Sequence, residues 1–144
     1  MIVVPVIVAG GRDFGDISNS HHPRWQEKFD EYLFIFERLN RFKERFEHSS
    51  QGRHQLRIVS GGARGVDTAA RHWAESWGLD FQEYPANWGK HGKAAGPIRN
   101  KEMLDKENPR VVICFPGGAG TQNMAKQARK AGVRIITPTV SSPP

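Results

Sequence analysis

With a single cysteine, Cys114, the 144-residue chain cannot close an internal disulfide. That thiol stands within the apolar run before Pro116, where a small buried core residue is the expected role rather than a nucleophile. No Cys/His spacing matches a zinc site; His21-His22 is an isolated pair in a polar stretch, and neither a metal nor a resident cofactor is expected. No apolar run approaches the roughly 18 residues that a membrane span takes, so no membrane partner is expected. The opening Met1-Ile2-Val3-Val4-Pro5-Val6-Ile7-Val8 lacks a basic leader and reads as a first strand rather than a signal peptide, which implies a cytoplasmic protein. Neither Gly-Lys-Ser nor Gly-Lys-Thr is present, which disfavours a P-loop triphosphatase, and there is no serine nucleophile elbow. With no internal repeat and no low-complexity linker, one domain over residues 1–140 is expected, followed by a frayed tail at 141–144.

Glycine is what the chain has in useful places. Phe115-Pro116-Gly117-Gly118-Ala119-Gly120-Thr121 follows the apolar run Val111-Val112-Ile113-Cys114 and precedes a helical pattern. A strand that runs through glycines into a helix lets backbone N–H groups and the helix dipole meet a phosphate closely. Thr121 adds a hydroxyl or caps the helix. Two further junctions have the same form: Val6 to Ala9 before Gly10-Gly11-Arg12-Asp13-Phe14, and Leu56 to Ser60 before Gly61-Gly62-Ala63-Arg64-Gly65-Val66-Asp67. In a parallel sheet all three turns fall on one edge, so together they specify one crevice.

The periodicities support that sheet. Apolar strands are expected at 2–9, 56–60 and 111–115, a short one at 80–84 and a last one at 133–137. Between them lie a long helix over 25–47 and helices after Gly65, from Pro97 and from Thr121. The aromatic stripe Trp25, Phe29, Tyr32, Leu33, Phe36, Leu39 and Phe46 on the first helix reads as core or dimer contact, and Trp73 and Trp77 as the apolar face of the second. Strict strand–helix alternation gives an α/β fold, a single-domain Rossmann-like doubly wound sheet, mostly parallel, of about five strands.

A formal charge of +6 and a pI near 9.8 permit an anionic ligand, nucleic acid included. Arg38, Arg41, Lys43 and Arg45 alternate with Glu37, Glu44 and Glu47, the makeup of a solvated helix face. Arg12, Arg64, Lys90, Lys93 and Arg99 instead lie in or near the glycine turns and are the cations expected at a ligand. Gly61 and Gly62 allow close backbone approach, while Arg64 either meets a phosphate or pairs with Asp67, which would then cap the next helix. Arg12 and Asp13 either face a phosphate and ribose or pair with each other. Residues 86–96 read as a long loop, suited to a flap: Lys93 and Arg99 on phosphate, and Trp88 either stacking on a base, covering the site or anchoring the loop in the core.

Pro116-Gly117-Gly118-Ala119-Gly120-Thr121 resembles the P-G-G-x-G-T-x-x-E signature of the LOG proteins, phosphoribohydrolases that act on cytokinin nucleoside monophosphates, and Arg99-Asn100-Lys101-Glu102-Met103 resembles their R-x-x-E-M segment. The full set, adding the turns at Gly10 and Gly61, Trp88, and His91 to Asn100, is closer to the YspA-like branch of the SLOG superfamily, found in bacteria and phages. That resemblance implies a protein, commonly a homodimer, that binds a nucleotide or an ADP-ribose/NAD-like derivative on Gly10, Gly11, Arg12, Gly61, Gly62, Arg64, Trp88, Lys93, Arg99, Gly117, Gly118, Gly120 and Thr121. LOG enzymes cut an N-glycosidic bond with an arginine and the signature's closing glutamate. Arg99 holds the arginine's place, but Met124 stands in the glutamate's, and a thioether is neither acid nor base. Hydrolysis would then need Asp13 or Asp67, which with Arg99 are the candidate catalytic residues. Three functions follow: a sensor, sequesterer or slow processor of a nucleotide; an active nucleotide N-glycosidase; and a nucleic-acid binder related to DNA-processing protein A.

Overall fold

Each apolar run becomes a strand and each 3.6-period stretch a helix. A computed structural model describes residues 2–139; the expected tail at 141–144 lies outside them. Along the chain come β1 (Ile2–Ala9), α1 (Trp25–Ser50), β2 (His54–Ser60), α2 (Val66–Ser76), β3 (Asp80–Glu83), α3 (Trp88–His91), α4 (Ala95–Glu107), β4 (Val111–Cys114), α5 (Ala119–Lys130) and β5 (Arg134–Ile136). The five strands form one sheet in the order β3-β2-β1-β4-β5, and every pairing is parallel. β1 is central, with Val6 opposite Ile58 of β2 on one side and Val111 of β4 on the other. The chain fills one half of the sheet through β2 and β3, then returns past β1 to build the other half. The gap between the ends of β1 and β4 is therefore a topological switch point, where doubly wound sheets open a crevice.

Alternation along the strands divides the core in two. Val4, Val6, Val8, Ile58 and Ile113 point to the layer of α1 and α2, with Ile35, Leu39 and Trp73. Ile7, Val59, Val112 and Cys114 point to α4 and α5, with Met103, Met124 and Ala128. Burial pushes the Cys114 thiol up to about 11, consistent with a core role.

Three sequence expectations change. Ile35 rather than Leu33 carries the buried stripe of α1; Leu33 is exposed. Trp77 is 52% exposed: α2 ends at Ser76, and the indole rests under the Lys43 ammonium and donates to Asn40 Oδ1 at 3.0 Å instead of entering the core. Residues 88–94 are not an open loop. They form α3 and a 3₁₀ turn (Gly92–Ala94) that runs directly into α4, which begins at Ala95. Asn87 makes this possible by accepting the Lys90 N–H on its side chain at 3.0 Å, an N-cap that the glycine-rich composition conceals.

Candidate functional site

The turns after β1 and β4 are stitched together at the switch point. Phe115 N–H donates to Ala9 O at 2.8 Å, and Gly11 N–H donates to Pro116 O at 2.9 Å. A methyl group at Gly117 would lie 2.6 Å from Gly11 N and 3.0 Å from Gly10 C, and one at Gly10 would strike Val66. Gly65 carries φ +72 and presents no side chain to the Gly11 and Arg12 carbonyls. These glycines are required by close approach of backbone to backbone. Gly10, Gly11 and Gly117 line a crevice of about 530 Å³ at the carboxyl edge of β1, β2 and β4.

Gly118 and Gly120 are different. A methyl group on either would meet nothing within 4 Å, and neither has positive φ, yet both line the crevice. Gly118 is the N-cap of α5 and provides no side-chain cap, so the helix's first-turn N–H groups are left to whatever fills the crevice. At α2 the first N–H of the helix, that of Val66, already donates to Gly11 O at 3.2 Å. Thr121 does not cap α5; its hydroxyl packs over Gly117. α5 begins two residues earlier than the sequence pattern indicates, which puts Gly120 and Thr121 in its first turn.

Arg99 lines the crevice from α4. Its Nη1 donates to Gly61 O at 2.8 Å and Tyr84 O at 3.3 Å, and its Nε donates to Asn100 Oδ1 at 3.0 Å. Gly61 lacks a side chain because the guanidinium occupies that space. Burial lowers the Arg99 pKa, opposed by the nearby Asp67 charge. Asn100, 3% exposed, donates to Gly120 O at 3.1 Å and Asn123 Oδ1 at 3.2 Å, fixing the start of α5 against α4. The sequence reading missed this role for Asn100. An asparagine inside a helix, where it is a weak former, was the available signal.

Asp67 is 6% exposed and also lines the crevice. Its carboxylate neither caps α2, whose N-cap is Gly65, nor pairs with Arg64; it accepts the Ala63 N–H at 3.0 Å. Burial pushes its pKa up to about 6 against the pull of that hydrogen bond and of Arg99. Met124 does not line the crevice: it is 1% exposed, packed with Ile7, Val112 and Met103.

At the mouth, the Arg12 guanidinium lies 5.1 Å over the Trp88 ring. Trp88 is 48% exposed, so it is not a core anchor, and Arg12 does not pair with Asp13. Asp13 lines the crevice too, with its side chain 87% exposed and 3.9 Å from Arg64. Arg64, Lys93 and Gly62 do not line it. Arg64 borders a separate depression with Asp16 and Tyr32, Lys93 is exposed on the 3₁₀ turn, and Gly62 faces Glu83. Among the described residues no group of three or more His, Cys, Asp or Glu side chains could hold a metal ion, and no helix is long and apolar enough to cross a membrane.

The model of the YspA, cpYpsA-related SLOG family matches residues 4–91. The chain belongs to this SLOG family. The matched span takes in the turns at Gly10 and Gly61, Asp67 and Trp88; Arg99 and the α5 glycines lie beyond it and join the site through the fold. A similar protein is the Gene 61 protein of Mycobacterium phage D29, 41% identical over 90 residues that cover 56% of this chain and 70% of that protein. That name states no activity. SLOG membership suggests a nucleotide-related function.

Proposed function

We propose that the crevice binds a nucleotide or an ADP-ribose/NAD-like derivative, with its phosphates on Gly118, Gly120 and the first turn of α5 and its base or ribose toward Trp88 and Arg12. The observation that carries this reading is Gly120, a crevice-lining helical glycine whose missing side chain no protein neighbour explains. Glycine costs up to about 0.5–1 kcal/mol relative to alanine in a helix, and at Gly120, in the first turn of α5, no neighbour occupies the space of the missing methyl. Gly120 lines the crevice in the uncapped first turn of α5, where an anion is favoured. Arg99 holds the walls together through Gly61 and Tyr84 and adds positive charge.

Sensing or sequestering the ligand is favoured over LOG-type hydrolysis, because the glutamate's position is filled by a core methionine. One observation supports a second reading. Asp67, buried in the crevice with a pKa near 6, can hold a proton close to neutral pH as a general acid toward a leaving base does. Native mass spectrometry of freshly purified protein should find a co-purified nucleotide-sized ligand, and added AMP, ADP-ribose or NAD should bind without release of free base. Turnover abolished in Asp67→Asn would replace the binding reading with the glycosidase one; failure of all three compounds to bind would remove both. The homodimer that the resemblance implies belongs to the same proposal, and light scattering of the purified chain reads it directly.

A further inference from the structure

The opposite end of the sheet holds a second concavity, of about 580 Å³, built on a different plan. Arg38, Arg41 and Arg45 enter it from α1, at spacings of three and four residues that place them on one face. Arg110, just before β4, and Arg134, the first residue of β5, enter it from the amino edge of the sheet. Between them lies an apolar floor of Phe42, Phe46, Val111, Ile113 and Ile136. The α1 arginines are thus part of a concave site with cations from two other elements, not simply a solvated helix face.

The charges there are poorly neutralised. Glu37 takes Arg41 at 2.8 Å and stands 3.9 Å from Arg38, while Arg45, Arg110 and Arg134 have no carboxylate within ion-pair distance among the described residues. Arg38 Nε is buried without a hydrogen-bond acceptor. Guanidinium groups that converge without carboxylates repel one another until an anion enters, and their planar forks match phosphate oxygens two at a time. Convergence from opposite walls suits a compact anion better than an extended strand, and the volume falls in the range of small-ligand sites. A second copy of the chain docking here about a two-fold axis would set the same arginines against each other.

We propose that this depression is a second ligand site, for a compact organic polyphosphate whose phosphates lie on Arg45, Arg110 and Arg134 and whose apolar or planar part lies on Phe42 and Ile136. The site is independent of the crevice reading. Amide NMR spectra of the labelled chain, titrated with ATP and with inorganic tripolyphosphate at about 0.15 M salt to suppress loose surface binding, test it. ATP should shift the Phe42, Phe46, Ile136 and Thr137 amides saturably and at lower concentration than tripolyphosphate. Combined Arg45→Ser and Arg134→Ser substitutions, both at exposed side chains, should weaken those shifts about tenfold or more, as expected for lost charge-assisted contacts, without moving the Gly120 and Thr121 amides or the melting temperature. No saturation at these amides, or the same saturation in the double variant, would overturn the proposal. So would saturation by an oligothymidylate or an acidic peptide where ATP gives none.

Discussion

The two sites proposed at the ends of the sheet would hold negative charge by opposite means. At the carboxyl edge the crevice relies on what is missing: side chains absent at Gly118 and Gly120 expose the first turn of α5, and among the described residues only Arg12 and Arg99 bring cations to the lining. At the amino edge there is no glycine in the lining, and five arginines surround an apolar floor. Backbone donors are fixed in place by the fold and select shape; long cationic side chains select charge and remain adjustable. The first kind of site should therefore respond sharply to a single methyl group and weakly to salt, and the second the reverse.

The largest effects should come from the positions that hold the crevice together. Met124→Glu would bury an unpaired carboxylate in the α4/α5 core, at a cost of about 3–5 kcal/mol, and should lower the melting temperature without creating N-glycosidase activity. If instead the variant were stable and hydrolysed AMP, Met124 would face the ligand and the placement of the crevice would be wrong. Gly117→Ala forces backbone apart at Gly10 and Gly11 and should cost about 1–3 kcal/mol, read by chemical denaturation.

Asp67→Asn comes next. Between an ordinary 3.8 and about 6, folded Asp67 keeps a proton that the unfolded chain has released. Stability therefore falls as pH rises through that window and stays level above it. A shift of roughly two units corresponds to about 3 kcal/mol, so the asparagine variant should gain up to that amount at pH 7.5 and little at pH 4. A variant whose gain was the same at both pH values would show that burial does not raise this carboxyl. The smallest effect is at the mouth. Arg12→Ala removes a cation–π contact of about 0.5–1 kcal/mol, which should leave the fold intact and alter Trp88 fluorescence. An unchanged spectrum would mean that the two side chains do not meet in solution.

Much of this architecture was legible in the sequence. The apolar runs and the three glycine turns fixed the sheet and its carboxyl edge, since two-sided burial and strand-to-glycine transitions leave strong local signals. The segment at 88–94 did not, because a single Asn87 cap outweighs two glycines in seven residues. Nor could the sequence separate glycines required by packing, such as Gly117, from those that packing leaves free, such as Gly120: that distinction depends on Gly10 and Gly11, more than a hundred residues away. The same holds for Arg64, Lys93 and Gly62, which lie near the glycine turns but do not line the crevice, and for the arginines of α1, which become part of a concavity only when β4 and β5 bring Arg110 and Arg134 beside them.

Calorimetric titration of ADP-ribose into the unaltered chain and into Gly120→Ala, with thermal melts of both, tests the phosphate-site reading most directly. The added methyl meets no protein atom within 4 Å, so the variant should melt at the same temperature or slightly higher, by the ~0.5–1 kcal/mol that alanine gains over glycine in a helix. Its ADP-ribose affinity should fall by about tenfold or more, the loss of roughly 1.4 kcal/mol. Equal affinity in the two proteins would show that the α5 terminus does not hold the phosphate and would contradict the proposed site.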